Sequence, residues 1–175
     1  MKHLWQATRD LHHACEEHPV GAAMASGTPP HEWYAKWMMA LNQIHTYVDG
    51  YVPDDVKRAQ ALQEDLDAMD EKVSPLLTAA LYTRSLKNNP TRIAGAAYVL
   101  TGAHLMGGEV MRRRLDGYPT KHLEWHNRKA ALAVLQTYRE REDIVEEARD
   151  CFAALLAVMD EIENAGASDG SSRSN

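Results

Sequence analysis

Apolar positions recur at helical spacing along nearly the whole chain, and no run alternates as a strand would. Leu4, Thr8, Leu11 and Cys15 form one stripe, so the spacing predicts a first helix over residues 2–17 with His12 beside that stripe. Pro19 is expected to stop it, and the Gly-, Ser- and Pro-rich stretch 21–30 reads as a loop. A second helix is expected over 31–51, turning Trp33, Trp37, Met38, Leu41, Ile44, His45 and Val48 inward before Pro53 ends it. Asp54 or Asp55 is the expected cap of a third helix reaching Met69. Ser74 is the expected cap of a fourth, with Pro75 at its first position. Asn88, Asn89 and Pro90 break the chain again, and a helix is expected over 90–115. After a turn at Gly117-Tyr118-Pro119, helices over 121–139 and 142–163 complete the set. The last has an apolar face of Ile144, Ala148, Phe152, Leu155, Leu156 and Met159. The pattern is that of one all-α domain over 1–164 with six to seven main helices, followed by a Gly- and Ser-rich tail, 165–175, expected to be disordered.

The helix over 90–115 departs from an ordinary amphipathic pattern. Its apolar run carries Gly95, Gly102, Gly107 and Gly108, four of the chain's ten glycines. Each glycine inside a helix costs about 0.5–1 kcal/mol relative to alanine, and a glycine pair invites a bend. Glycine on a buried helix is explained by close approach of its backbone to something flat or bulky. Two partners fit: a planar ligand, or a neighbouring helix packed through small residues.

Composition narrows the class. The chain has 175 residues, 45% hydrophobic and 25% charged, as for a single domain with one core. A formal net charge of −6 makes nucleic acid an unexpected partner. No apolar run approaches a membrane span, and the polar start of the chain does not read as a signal peptide. Two cysteines are too few for a disulfide framework and suit a reducing compartment, so a cytoplasmic protein is expected, and the lack of a large exposed apolar stripe leads to the expectation of a monomer. Nine histidines are the unusual count, and they cluster near the N-terminus and between His104 and His126.

Three constellations can carry chemistry. His12 and Glu16 lie four apart and share a helix face. A neutral imidazole there can ligate an iron axially while a carboxylate orients its other ring nitrogen. The same pair can also be two solvated residues. On the glycine helix, Tyr98, Ala103, His104, Gly107 and Gly108 follow one another with Ala103–Gly107 and His104–Gly108 each four apart. The third set is basic: Arg112, Arg113, Arg114, Lys121, Arg128 and Lys129 can pair with carboxylates of a ligand or partner, or form a solvated face. Glu-x-x-His, His-Glu-x-x-His, Cys-x-x-Cys, Gly-x-Ser-x-Gly and a phosphate-cradling Gly loop are all missing from the sequence.

Two of these stretches resemble the haem oxygenase family. Leu4-x-x-Ala7-Thr8-x-x-x-His12-x-x-x-Glu16 is similar to its proximal helix, with His12 in place of the axial histidine. Ala97-Tyr98-Val99-Leu100-x-Gly102-x-x-Leu105-x-Gly107-Gly108-x-Val110 is similar to its distal helix, and Glu146-Glu147-Ala148-Arg149-x-x-Phe152 to its last helix. The resemblance spans roughly 4–163 and implies that Arg128 and Tyr98 lie near a haem propionate. It also has departures. Family members carry Gly-Asp or Ser-Asn where this chain has Ala103-His104, and a propionate-binding lysine falls at Trp5, so Arg9 or Lys121 is expected to replace it.

The resemblance implies oxidative opening of haem to biliverdin, CO and Fe2+. Haem would be cofactor and substrate, with O2 and electrons from a ferredoxin, a flavodoxin or an NAD(P)H-dependent reductase. His12 would be the metal ligand, oriented by Glu16. Ala103, Gly107 and Gly108 would leave room above the iron, and His104 would order water there. Two rivals stand beside it. If His104 ligates the iron, the same fold is a haem carrier or sensor. A thiaminase-like hydrolase on a similar fold would instead use Cys15 or Cys151 as nucleophile.

Overall fold

In the computed structural model, backbone is described for residues 3–170 and side chains for 3–166. All regular structure among them is helical: α1 (His3–Glu17), α2 (Pro19–Ser26), α3 (His31–Val48), α4 (Ala59–Asp67), α5 (Leu77–Ser85), α6 (Pro90–Gly102), α7 (Gly108–Arg114), α8 (Arg128–Arg139) and α9 (Val145–Gly170). Single 3-10 turns sit at Asp49–Tyr51, Asp54–Val56, Lys121–Leu123 and Glu142–Ile144. The seven expected helices correspond to α1, α3, α4, α5, the bent pair α6–α7, α8 and α9.

α9 is the central element. Its buried face, Ala148, Cys151, Phe152, Leu155, Val158, Met159 and Ile162, packs against α1, α2, α3, α5 and α6. The α6 contact is the tightest for a specific reason. A Cβ on Gly95 would sit 2.6 Å from Glu147 Cβ and 2.7 Å from its carbonyl carbon, so only glycine lets the two backbones approach this closely. Across the joint, Arg92 pairs with Glu147 at 3.1 Å and Asp150 at 3.2 Å. Arg149 ties α9 to α1 through Asp10, at 2.8 Å, and the Ala7 carbonyl.

Five local expectations change. α4 begins at Ala59 rather than after Asp54 or Asp55, and the Asp49 carboxylate accepts from Arg58 N at 2.8 Å and Ala59 N at 2.7 Å at its start. α8 begins at Arg128 rather than at 121. The stretch after Pro19 is a helix, not a loop: Pro19 occupies its first turn, and the His18 side chain caps it by accepting from Val20 N at 3.1 Å. Gly27 ends it at φ 84, left-handed backbone that a glycine adopts without strain. Ser74 does not cap α5. The Glu161 carboxylate of α9 does so, accepting from Leu77 N and Thr78 N at 2.9 Å each. Finally, α9 runs on to Gly170 where a tail was expected from Ala165, and 171–175 lie outside the described residues. A Cβ on Gly166 would come within 3.4 Å of Trp33 Nε1, so this part of α9 still has a neighbour.

The glycine helix is bent, and the bend is a π turn over Ala103–Gly107 between α6 and α7. Gly108 N bonds Ala103 O, one residue longer than the α-helical step. Such a turn is widened and exposes main-chain groups to outside donors. Trp125 Nε1 donates to His104 O at 3.4 Å, and Arg128 Nη2 to Leu105 O at 3.3 Å.

Candidate functional site

α1 presents a buried stripe and an exposed face. Leu4 and Thr8 are buried, with Leu11 and Cys15 packed partly against the core. Trp5, Arg9, His12 and Glu16 follow at helical spacing on the other side. Trp5 is half exposed, and the Arg9 guanidinium lies 5.7 Å from its ring. The His12 side chain is 46% exposed, and its inner edge meets the Phe152 ring with centroids 5.9 Å apart. Glu16 Oε2 lies 3.6 Å from His12 Nδ1, beyond hydrogen-bond distance, and 3.2 Å from His13 Nδ1. The carboxylate thus sits closer to His13 than to His12, which it was expected to orient, and its place on the Nδ1 side leaves His12 Nε2 as the nitrogen for a ligand.

The π turn supplies a second exposed face. Ala103, Met106, Gly107 and Val110 are exposed, while His104, Leu105 and Gly108 point into the protein. The glycines separate by role. A Cβ on Gly107 would meet nothing within 4 Å, whereas one on Gly108 would press on Leu123 at 3.2 Å. Gly95 serves the packing on α9, and Gly102 faces Leu135 at ordinary contact distance. Of the two explanations for the glycines, helix packing therefore accounts for Gly95, and an open surface remains at Gly107.

These two faces stand on elements that share neighbours. α1 and α7 both pack on α2, and α1 and the π turn both pack on α8. Comparable packing of α1 on the π turn or on α7 does not occur. Tyr98, 7% exposed, links α6 to α1 through a side-chain hydrogen bond with Thr8, and burial raises its pKa despite nearby Arg139. Arg128, the first residue of α8, is held at the π turn by its bond to Leu105 O. The other basic residues are mostly engaged. Arg112 and Arg113 pair with Glu109, Arg114 donates to Ala25 O, and Lys121 pairs with Glu64.

Behind the π turn lies a cluster that sequence reasoning did not assemble. His104 is buried between His45 and His122, with ring centroids 5.2 and 5.6 Å away and planes near perpendicular. His45 Nδ1 lies 3.0 Å from Asp49 Oδ1, and Asp49 Oδ2 accepts from Arg58 N and Ala59 N. His122 Nδ1 lies 2.6 Å from Asp65 Oδ2, and Asp65 also accepts from the main-chain amides of Lys121 and His122. The Arg58 guanidinium stacks 4.0 Å over Trp125, the residue that bonds His104 O. Burial above all, then the neighbouring His45, His122 and Arg58, holds the His104 pKa well below the ordinary histidine value. The inward direction of His45 and the candidacy of His104 were legible beforehand, but not their meeting with each other and with His122. Asp65 is 57 residues from His122 in sequence, so no local spacing announces the pair.

Other chemistry finds no support. Burial raises the Cys15 thiol to about 11 and the Cys151 thiol to about 12, which disfavours the thiolate a nucleophile needs. His18, Asp160 and Glu163 bring three ligand-type atoms together. However, His18 Nδ1 accepts from Val20 N, so its Nε2 carries the hydrogen and donates to Asp160 at 2.9 Å, leaving no lone pair for a cation. A surface cavity of about 550 Å³, lined by Tyr51, Asn89, Ile93, Tyr138 and Arg141 among others, shares no residue with either exposed face. No helix among the described residues is long and apolar enough to cross a membrane.

No family model and no curated protein matches the chain. Solved structures do. Heme oxygenase-1 from the cyanobacterium Synechocystis, in complex with heme, superposes with TM-score 0.78 at 20% identity over 93% of this chain and 91% of that one. Heme oxygenase-2 from Synechocystis, in complex with heme and NO, gives 0.76 at 19% identity over 93% and 84%. Heme oxygenase from Leptospira interrogans gives 0.75 at 18% identity over 90% and 97%. With helices in the same arrangement over nine-tenths of its length, this chain has the haem oxygenase fold.

Proposed function

We propose that the protein is a haem oxygenase that binds haem between the exposed face of α1 and the π turn. One observation carries the reading. On the fold of proteins solved with heme, this chain pairs a half-exposed imidazole at His12 with a helix turn that has no side chain at Gly107. The residues present suit such a ligand. His12 would hold the iron through Nε2, with Glu16 on the Nδ1 side. Met106, Val110 and Trp5 offer exposed apolar surface to a macrocycle. Arg128 and Arg9 would pair with the propionates, and Tyr98 would set the depth of the cleft through Thr8. Ala103 and Gly107 would leave room on the face where haem binds, and Gly108 packs on Leu123 under the same turn.

Haem bound there would be cofactor and substrate, supplying the iron that binds O2 and the ring that is opened to biliverdin, CO and Fe2+ with electrons from a ferredoxin, flavodoxin or reductase. The protein's part is to hold the ring, exclude bulk from one side and keep proton donors at the other. His104, neutral and inside, suits the last task. The same burial weighs against the carrier reading, because ligation through His104 would require pulling its ring from between His45 and His122. Haem titration tests the proposal. Wild type is expected to give a saturable absorbance change, with a pH-sensitive, water-ligated ferric spectrum. Gly107→Leu is expected to bind at least about tenfold more weakly, equivalent to about 1.4 kcal/mol. Equal affinity in the two proteins would place the ligand elsewhere, and a bis-histidine spectrum would favour the carrier.

A further inference from the structure

The cluster behind the π turn holds two unpartnered polar atoms. His45 Nε2 and His104 Nδ1 are buried, and neither has a hydrogen-bond partner in the protein. Their rings are 2% and 4% exposed, and their centroids are 5.2 Å apart. Leaving such an atom unsatisfied costs about 1–3 kcal/mol, so a fold that carries two side by side points to a guest.

The chemistry of that guest follows from the tautomers. A carboxylate accepts and does not donate. Asp49 therefore receives the Nδ1 hydrogen of His45, and in that tautomer the ring presents a bare lone pair at Nε2. The Asp65 pair fixes His122 in the same way. His104 bonds the main chain of His122, a contact that favours a proton on the His104 ring and so has the carbonyl as acceptor. With Nδ1 unpartnered, that hydrogen sits on Nε2, and Nδ1 is a lone pair too. Two buried acceptors on adjacent rings call for a guest with two hydrogens to donate. A cation is a poorer match. Among the described residues, His18, Asp160 and Glu163 form the one group of three ligand-type side chains with mutually close atoms, so the third imidazole does not converge on the same point.

We infer that His45 and His104 hold one buried water, donating to His45 Nε2 and His104 Nδ1, and that His45 and His122 are positioning residues that keep His104 in this tautomer behind the π turn. The inference rests on the haem oxygenase reading for its purpose, which is to keep a proton-bearing molecule fixed beside the segment that lies over the iron. The water site and the tautomers do not depend on that reading.

Imidazole-nitrogen NMR of the ligand-free, 15N-labelled protein tests them directly. His45 and His122 are expected as Nδ1–H tautomers and His104 as the Nε2–H tautomer. Asp49→Asn supplies a second arm. The Asn oxygen stays bonded to the amides of Arg58 and Ala59, so its NH2 faces His45 Nδ1 and should flip that ring to Nε2–H. In the haem-loaded protein, the pH midpoint of the ferric spectrum should shift in Asp49→Asn while haem affinity holds. An Nε2–H His45 in wild type overturns the inference, as does stoichiometric Zn2+ uptake that His45→Gln abolishes, or an unshifted midpoint in a flipped variant. Failure of wild type to bind haem would overturn the functional reading and the role assigned to the water, whereas the tautomers are decided by the ligand-free spectra alone.

Discussion

His104 is buried among His45, His122 and the Arg58 guanidinium, and these neighbours disfavour its charged form. The paired carboxylates Asp49 and Asp65 belong to the flanking histidines rather than to His104. The folded pKa therefore lies below the unfolded value of 6.5. Above that value both states are neutral at this position and stability is full. As pH falls below 6.5, the unfolded chain takes up a proton that the folded one refuses, and stability declines at up to about 1.4 kcal/mol per pH unit. Denaturant unfolding between pH 7 and pH 5 should show this slope, and His104→Gln should flatten it. A slope unchanged in the variant would mean that another group carries the acid sensitivity.

At the scale of elements, the glycines of the bent helix make opposite predictions. Gly95→Val drives a side chain into the Glu147 backbone on α9, an overpacking worth about 1–3 kcal/mol and a Tm lower by roughly 2–12 °C. Gly107→Ala meets nothing within 4 Å and should leave Tm unchanged or raise it slightly. Calorimetry on the two variants checks the assignment, and equal losses would contradict it. The sequence pattern marked this helix by its glycine count but not which glycine does what. That depends on which residue of α9 lies opposite, 52 positions away at Glu147. Periodicity was enough to place α1, α3, α8 and α9, whose apolar stripes are regular, but not to mark where α8 begins or α9 ends. It failed where a side chain from elsewhere completes an element, as Glu161 does for α5. It also failed at α2, where a histidine acts as the cap. The candidate site was legible in part for the same reason. His12 and the π turn announce themselves by local spacing, and the His45–His104–His122 cluster is made by contacts between distant segments.

The whole molecule combines a rigid frame with two exposed faces. α9 and the Gly95 joint fix α6, and Arg149 with Asp10 fixes α1. α8 spans the distance between α1 and the π turn, and α2 that between α1 and α7. The account rests on that distance being filled by haem and on the filled protein degrading it. The most direct measurement is aerobic reduction of the haem-loaded protein with a one-electron donor, followed by absorbance. The haem band should decay while bile-pigment absorbance grows, CO should be released in proportion, and His12→Ala should lose most of this turnover. Haem that is reduced and reoxidised without loss, or bile pigment formed at full rate by His12→Ala, would contradict the account.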